Sequence, residues 1–266
     1  MTKTVSFKFS GFCGDIIHYM ANVKACVEAM DAKAEIYIWM DRPGLSYEGA
    51  RHPYGGVMVN QYAFDMLKPL LLRQSYVNKV EQWTGQEIQV DVDKIRESQV
   101  GMPHGHLGHW LGIEFPDMQA DLTKPWLSIG LEGYSQKSTR YILINRTSRF
   151  QNPLISYFFM EKYRDHLMFC GTEEERDAFA KEWHFAFELQ ILKVANFFEL
   201  AAWIACCKFF IGNQSMCFAI AEALKVPRIL ELCPYAQNIH PCGPHAHYFQ
   251  FQKGLVYLVD KLDKEL

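Results

Sequence analysis

Residues 208–232, KFFIGNQSMCFAIAEALKVPRILEL, read as a buried strand, a turn, an amphipathic helix and a second buried strand. Phe209, Phe210 and Ile211 form a short apolar run that Gly212 and Asn213 stop. Met216, Ile220, Ala223 and Leu224 then recur at helical spacing until Pro227, which cannot continue a helix. The next apolar run, residues 228–232, completes a βαβ unit, and such units build parallel sheets. The polar turn Asn213-Gln214-Ser215 falls between the carboxyl end of a strand and the amino end of a helix. In an open parallel sheet, ligands bind there, because unpaired N–H groups and the positive end of the helix dipole face the crevice. Any βα loop also needs a glycine and a capping serine, so the motif alone fits an anion site and an ordinary loop equally.

Working outward, the segment before this unit alternates regularly: strand 141–145, helix 152–164, strand 167–170, helix 173–181 and helix 198–206. Thr172 with Glu175 and Asn196 with Glu199 read as capping boxes at two helix starts. Residues 254–266 read as a terminal helix. Residues 121–134, rich in Pro and Gly without long periodicity, read as a linker between domains 1–137 and 138–266. In the first half, residues 4–9 alternate like a strand and residues 10–14 turn the chain. Residues 16–30 carry apolar side chains at helical spacing. Further strands are expected at 35–40 and 86–92, with a helix at 60–72 that Pro69 can kink. The expectation is an α/β protein of two doubly wound, Rossmann-like domains facing a central cleft.

Length and composition suit an enzyme. The 266 residues, 49% hydrophobic and 14% aromatic, suffice for two packed cores. A formal net charge of −3 provides no basic footprint for nucleic acid. No apolar run is long enough to span a bilayer and the amino terminus does not read as a signal peptide, although peripheral membrane contact is compatible with this. The eight cysteines fall mostly inside apolar runs with no CxxC pair, the pattern of buried thiols in a reducing compartment, so a cytoplasmic location is expected.

Several polar groups carry candidate chemistry. Asp15 stands at the start of the first helix, where it reads as a helix cap or as a carboxylate at the mouth of a cleft, available as a general base. Asp91-Val92-Asp93 matches the DxD pattern that holds a divalent metal in one class of sugar transferases, but carboxylates on the exposed side of an alternating strand are ordinary, and no third ligand accompanies them. His104, His106 and His109 lack metalloprotease spacing and a nearby Cys pair, as do His240, Cys242, His245 and His247. A Gly-His loop facing the cleft, touching an acceptor, is the preferred reading, with no metal and no cofactor.

GDIIHYMANVKA (residues 14–25) resembles the start of the heptosyltransferase-like glycosyltransferases, family 9, and residues 210–230 resemble their nucleotide-binding segment. YILINRTSR (141–149), LMFCGT (167–172) and residues 196–215 fit the same second-half pattern. The resemblance implies a GT-B fold and metal-independent transfer of a sugar from a nucleotide-sugar donor, held by the second domain. The receiving hydroxyl would belong to a glycan or lipid-linked acceptor held by the first. It places Asp15 on the catalytic aspartate and Gln214 with Ser215 on the donor-contacting Asp-Thr pair. Gly14, His18, His104 and His106 become acceptor-side candidates. Met216 and Ala219 depart from a family glycine and histidine, and Gln214 lacks the carboxylate, so ADP-heptose is not implied as donor and a non-catalytic nucleotide- or glycan-binding relative remains the alternative.

Without a metal, the leaving diphosphate needs helix N-termini and cationic side chains. Arg146 and Arg149, after the first strand of the second domain, are expected to face the cleft and fork onto phosphate oxygens. Glu231, at the end of a strand, reads equally as an acceptor for a ribose or sugar hydroxyl and as an exposed strand end. With Asn213, Gln214, Ser215 and Met216 these complete the donor-side candidates.

Overall fold

The computed structural model describes residues 2–44, 55–97, 105–130 and 140–266. The first half runs β1 (Lys3–Phe9), α1 (Cys13–Ala29), β2 (Ala32–Ile38), α2 (Gln61–Leu72), β3 (Val77–Gln82), β4 (Val90–Asp91) and α3 (Leu107–Glu114). The second runs β5 (Ile142–Asn145), β6 (Leu167–Phe169), α4 (Glu173–Glu182), β7 (Gln190–Ile191), α5 (Phe197–Ala205), β8 (Phe209–Gly212), α6 (Met216–Leu224), β9 (Arg228–Glu231), β10 (Ala246–Phe249) and α7 (Gln252–Glu265).

The strands form two parallel sheets, ordered β3-β2-β1-β4 and β10-β9-β8-β5-β6-β7. The second order is that of the dinucleotide-binding fold, and the first is its leading half. Each sheet reverses direction once, between β1 and β4 and between β5 and β8, and crevices open at the carboxyl ends of such switch points. The unit at 208–232 folds as expected. Ser215 caps α6 by accepting from the Phe218 N–H at 3.1 Å, and Lys225 ends the helix at a positive φ of 60°.

One core joins the halves. It runs from Phe7 and Phe9 of β1 through α1, α2, α5 and α6 to Leu143, Met168, Phe210 and Leu230 of the second sheet. A separate core on the other face of the second sheet packs Ile142, Ile144, Phe209 and Ile211 against α4 and α7. The first sheet is one-sided by comparison. Its outer face carries Ser6, Lys8, Glu35, Tyr37, Lys79, Glu81, Gln89 and Asp91, which satisfy one another. Lys8 pairs with Asp91 at 2.6 Å, the Tyr37 hydroxyl donates to Glu35 at 3.2 Å, and Lys79 donates to Tyr37 at 3.1 Å.

Four sequence expectations change. Residues 121–130 are no free tether: Trp126 is buried, its indole N–H donates to Ile17 O at 2.8 Å, and its backbone N–H donates to Ala223 O at 3.1 Å. Each such bond contributes about 1 kcal/mol, so the segment straps both halves together. Residues 131–139, and the boundary at 137/138, lie outside the described residues. The helix expected at 152–164 is a 3-10 segment over Phe158–His166, and before it the Asn152 side chain turns the chain by accepting from Leu154 N. The strand expected at 86–92 shrinks to Val90–Asp91, since the Gln86 side chain bonds Thr84 N and Gln82 O in a local turn. The Gly-His stretch becomes α3, whose Gly108 packs so closely on Leu122 that a Cβ there would stand 2.9 Å from it.

Candidate functional site

Loops and helix starts meet at the carboxyl ends of β5, β6 and β7. A cavity of about 440 Å³ opens there, lined by Asn145, Thr147, Ser148, Arg149, Gly171 and Thr172, by Ile191 to Val194, and by the first turns of three helices. Those first turns supply Glu173 and Glu175 from α4, Phe197 and Leu200 from α5, and Ser215, Met216 and Cys217 from α6. Tyr62 and Met66 of α2 reach in from the first half. Helix N-termini present unpaired N–H groups and positive dipole ends, so the wall formed by α6 suits an anion. The carboxylates of Glu173 and Glu175 make the α4 side suited to hydroxyl donors.

The loop carrying Arg149 is fixed by Asn213. Its side-chain amide donates to Thr147 O at 3.0 Å and Arg149 O at 2.6 Å and accepts from Thr147 N at 3.0 Å. Asn213 is fully buried and works as a clamp on the loop after β5, away from the cavity lining. Arg149 stacks its guanidinium 4.9 Å from the Phe12 ring and bears electrostatically on both Asp15 and Glu175, so one cation serves both halves of the crevice. Gln214 turns from the cavity and donates to Asn238 Oδ1 at 2.6 Å.

Two expected donor contacts are placed elsewhere. Arg146 is buried and does not face the cleft: its guanidinium forks onto Glu231 at 2.8 and 3.0 Å, donates to Asn152 O, and stacks over Tyr157 and Trp183. Glu231 also accepts from the Tyr157 hydroxyl at 2.8 Å and Asn152 N at 2.6 Å. Both carboxylate oxygens are fully used, which leaves none for a sugar hydroxyl. The pair sits in the strand-loop joint as an internal staple.

At the other switch point, between β1 and β4, Asp15 occupies the first turn of α1 with its side chain 31% exposed. Arg96 approaches it at 3.7 Å. Burial raises the Asp15 carboxyl above its ordinary range, against the lowering pull of Arg96, Arg149 and the Phe12 backbone N–H. The named cap of α1 is Phe12, which makes no side-chain bond, so Asp15 does not act as the N-cap. Gly14 brings α1 into contact with α6: a Cβ there would lie 3.5 Å from the Met216 Cα. Asp15 is therefore beside the α6 N-terminus but is not among the cavity-lining residues. Of the DxD pair, Asp91 is taken by Lys8, while Asp93 accepts from Ser10 N at 3.0 Å and lies 3.9 Å from Arg96.

His18 and His106 meet edge to face, 5.6 Å between ring centres, at the seam of α1, α3 and the Trp126 strap. His106 caps α3 by accepting from Gly108 N at 3.0 Å. His18 Nδ1 and His106 Nε2 are buried with no protein partner. Burial and the charge of Lys225 push His18 down to about 3, and burial with the neighbouring histidines lowers His106 well below its ordinary value. Both are placed inside the seam and not on the crevice wall; His104 lies outside the described residues. Sequence reasoning passed over Thr147, Thr172, Glu175 and Lys193 as site residues. The signal was present in the capping box and in the rule that every strand's carboxyl end contributes to one crevice.

This architecture is the GT-B fold of glycosyltransferases. The chain is similar to the crystal structure of a glycosyl transferase family 9 protein from Veillonella parvula, with a TM-score of 0.60 at 10% identity over 99% of this chain and 90% of that one. E. coli ADP-heptose lps heptosyltransferase II gives a TM-score of 0.60 at 13% identity over 99% of both chains. The E. coli heptosyltransferase WaaC with ADP gives 0.57 at 9% identity over 98% of both. No protein-family model matches the sequence, and neither does any curated protein. No helix among the described residues is long and apolar enough to cross a membrane.

Proposed function

We propose that the protein is a metal-independent glycosyltransferase that moves a sugar from a nucleotide-diphosphate donor to a hydroxyl of a glycan or lipid-linked acceptor in the cytoplasm. The observation that carries this reading is the cavity at the second switch point, walled by the α6 N-terminus and lined by the cations Arg149 and Lys193 together with the carboxylates Glu173 and Glu175. The diphosphate lies against Ser215, Met216 and Arg149, where N–H groups and guanidinium stabilise the charge that grows as the glycosidic C–O bond breaks. The carboxylates accept from sugar or ribose hydroxyls. Asp15, just across Gly14 from the same helix terminus, takes the acceptor proton as the acceptor oxygen attacks the anomeric carbon. Its raised carboxyl suits a base that must take up a proton. Asp91 and Asp93 are engaged by Lys8, Ser10 and Arg96, which supports a cationic rather than a metal-bridged partner for the diphosphate.

Two observations favour a second reading, a nucleotide- or glycan-binding protein without transfer: Asp15 does not line the cavity, and Gln214, with no carboxylate, points to Asn238. A thermal-shift series with nucleoside diphosphates, with and without EDTA, tests the first reading. Ligand at about 100 times its dissociation constant adds about 2.7 kcal/mol, so a clear upward shift that survives chelation is expected. Loss of the shift on chelation overturns metal independence. Slow hydrolysis of a bound nucleotide sugar separates enzyme from binding module.

A further inference from the structure

Arg96 stands between two carboxylates and is committed to neither. It ends the 3-10 turn Val92–Arg96 that follows β4, and the buried side chains of Val92 and Ile95 anchor that turn in the core. One guanidinium nitrogen, Nη2, lies 3.7 Å from Asp15 Oδ2, and another, Nε, lies 3.9 Å from Asp93 Oδ1. Both distances exceed the hydrogen-bond range, whereas the Arg146 guanidinium reaches Glu231 at 2.8 and 3.0 Å. Room for the guanidinium over the first turn of α1 comes from Gly11, where a Cβ would stand 3.0 Å from Arg96 Nη2 and 3.3 Å from Asp15 Oδ2.

Asp93 is placed to receive that guanidinium. Its Oδ1 accepts from Ser10 N at 3.0 Å and its backbone N–H donates to Asp91 Oδ1 at 3.1 Å, which fixes the residue. Its Oδ2 is buried with no partner among the described residues. A buried carboxylate oxygen without a donor is costly, and the guanidinium already beside Oδ1 can supply one. The other groups that bear on Asp15 are Arg149, from the loop after β5, and the Cys13 thiol and Tyr19 hydroxyl of its own helix, which burial and the Asp15 charge hold protonated. Two further cations of this rim are engaged on other groups. Lys8 pairs with Asp91 at 2.6 Å between the rings of Trp39 and Trp83, and Arg42 stacks 4.1 Å from the Trp39 ring.

We propose that Arg96 is a positioning residue for Asp15, shared with Asp93, and that it moves from the first carboxylate to the second when Asp15 takes a proton and returns when that proton leaves to water. This rests on the reading of Asp15 as the base, although the sharing itself does not. As the acceptor oxygen bonds to the anomeric carbon, its proton passes to Asp15, whose charge is neutralised while the guanidinium keeps its own. Asp93 is then the remaining anionic neighbour of Arg96, and the guanidinium closes on it.

The full-length protein, with isotope-labelled aspartate, is titrated by carbon-detected NMR, and Asp15 is assigned by the signal missing from D15N. R96M should raise the pH at which Asp15 titrates by about half a unit or more, and R96K, which keeps the charge without the fork, should restore part of it. D93N leaves Arg96 to Asp15 alone and should lower that pH by about half a unit or more. Removing any nearby negative charge lowers it too, so the decisive comparison is D93N on the R96M background, where the shift should fall to less than half. Equal effects of D93N with and without Arg96 overturn the sharing, and an unmoved Asp15 in R96M overturns the positioning role. Hydrolysis of ADP-glucose and UDP-glucose against pH should follow the same order, its rising limb moving up in R96M and down in D93N. The expected shifts without any hydrolysis by the wild type remove the transferase reading and leave the sharing standing, whereas hydrolysis without the shifts removes Arg96 alone.

Discussion

The two sheets share a strand order but differ in how they treat their faces. In the second, β5 and β8 are buried end to end, as ILIN and FFIG, and helices cover both sides. In the first, β1 and β2 alternate, and the outer face is a lattice of ion pairs and hydroxyls. Parallel sheets are ordinarily buried on both faces, so the first is the unusual one. The difference teaches where rigidity and access are placed: a doubly covered sheet fixes the cavity, while a one-sided sheet offers polar and aromatic groups at its rim.

The largest expected effect tests the division of labour at the rims. Asp15→Asn keeps the side-chain shape but cannot accept a proton, so transfer should fall by roughly 10²-fold or more, within the usual span for general base catalysis. Donor affinity and melting temperature should hold, because the cavity proposed for the donor is lined mainly by the second half. Turnover, nucleotide titration and thermal melting on one preparation decide it, and full activity in the amide variant removes Asp15 from the mechanism.

A second test compares ion pairs. Arg146→Met strands the fully buried Glu231 carboxylate, and breaking a buried pair costs about 3 to 5 kcal/mol. Lys8→Met leaves Asp91, whose side chain is 33% exposed, able to reach water, and should cost about 1 kcal/mol or less for the pair itself. Urea unfolding measures both. Equal losses would erase the distinction between the sheets. The double variant Arg146→Met with Glu231→Leu should recover much of the loss.

The same contrast explains what the sequence showed. The βαβ unit, the Thr172 capping box and the alternation of β1 were legible because each is local: spacing, caps and breakers lie within a few residues. The boxes were not all equal, since the Glu199 carboxylate turned to Ala195 N and not to the cap residue Asn196. The fate of Arg146 was not legible, because its partners Glu231, Tyr157 and Trp183 are brought together only by the fold. A charged residue after a strand looks the same whether it points out or in. Trp39, Trp83 and Lys8 escaped for the same reason: they are far apart in the chain, at the ends of β2 and β3 and within β1, and only the fold brings them together.

The seam between the halves should respond to acid. His18 and His106 have folded values depressed below the unfolded one, so the folded state binds fewer protons. Their contribution is intact above about pH 6.5 and is lost as pH falls toward 3 for His18, at about 1.4 kcal/mol per pH unit per histidine. Melting temperature against pH should drop across this window, and His18→Phe should flatten the drop. An unchanged slope in that variant removes His18 from the acid response.

The smallest effect isolates the anion wall. Ser215 lines the cavity and caps α6 through a 3.1 Å bond from Phe218 N. Ser215→Asp keeps the capping ability, since Asp and Ser are comparable caps, and a carboxylate near a helix N-terminus is favourable to the fold. Ser215→Glu adds reach toward the cavity at some loss of cap. Both place negative charge where the diphosphate is expected and should weaken nucleoside diphosphate binding by about 1 kcal/mol or more, roughly fivefold, with little change in melting temperature. Raising salt should shrink the difference, because repulsion between partly exposed charges is screened. Phosphate held instead at the first sheet's rim, by Arg42 or Arg96, would leave both variants binding nucleotide as wild type does. Calorimetric titration of the two variants at two salt concentrations therefore assigns the diphosphate to one sheet or the other, and unchanged affinity in folded protein returns the 213–215 turn to an ordinary loop.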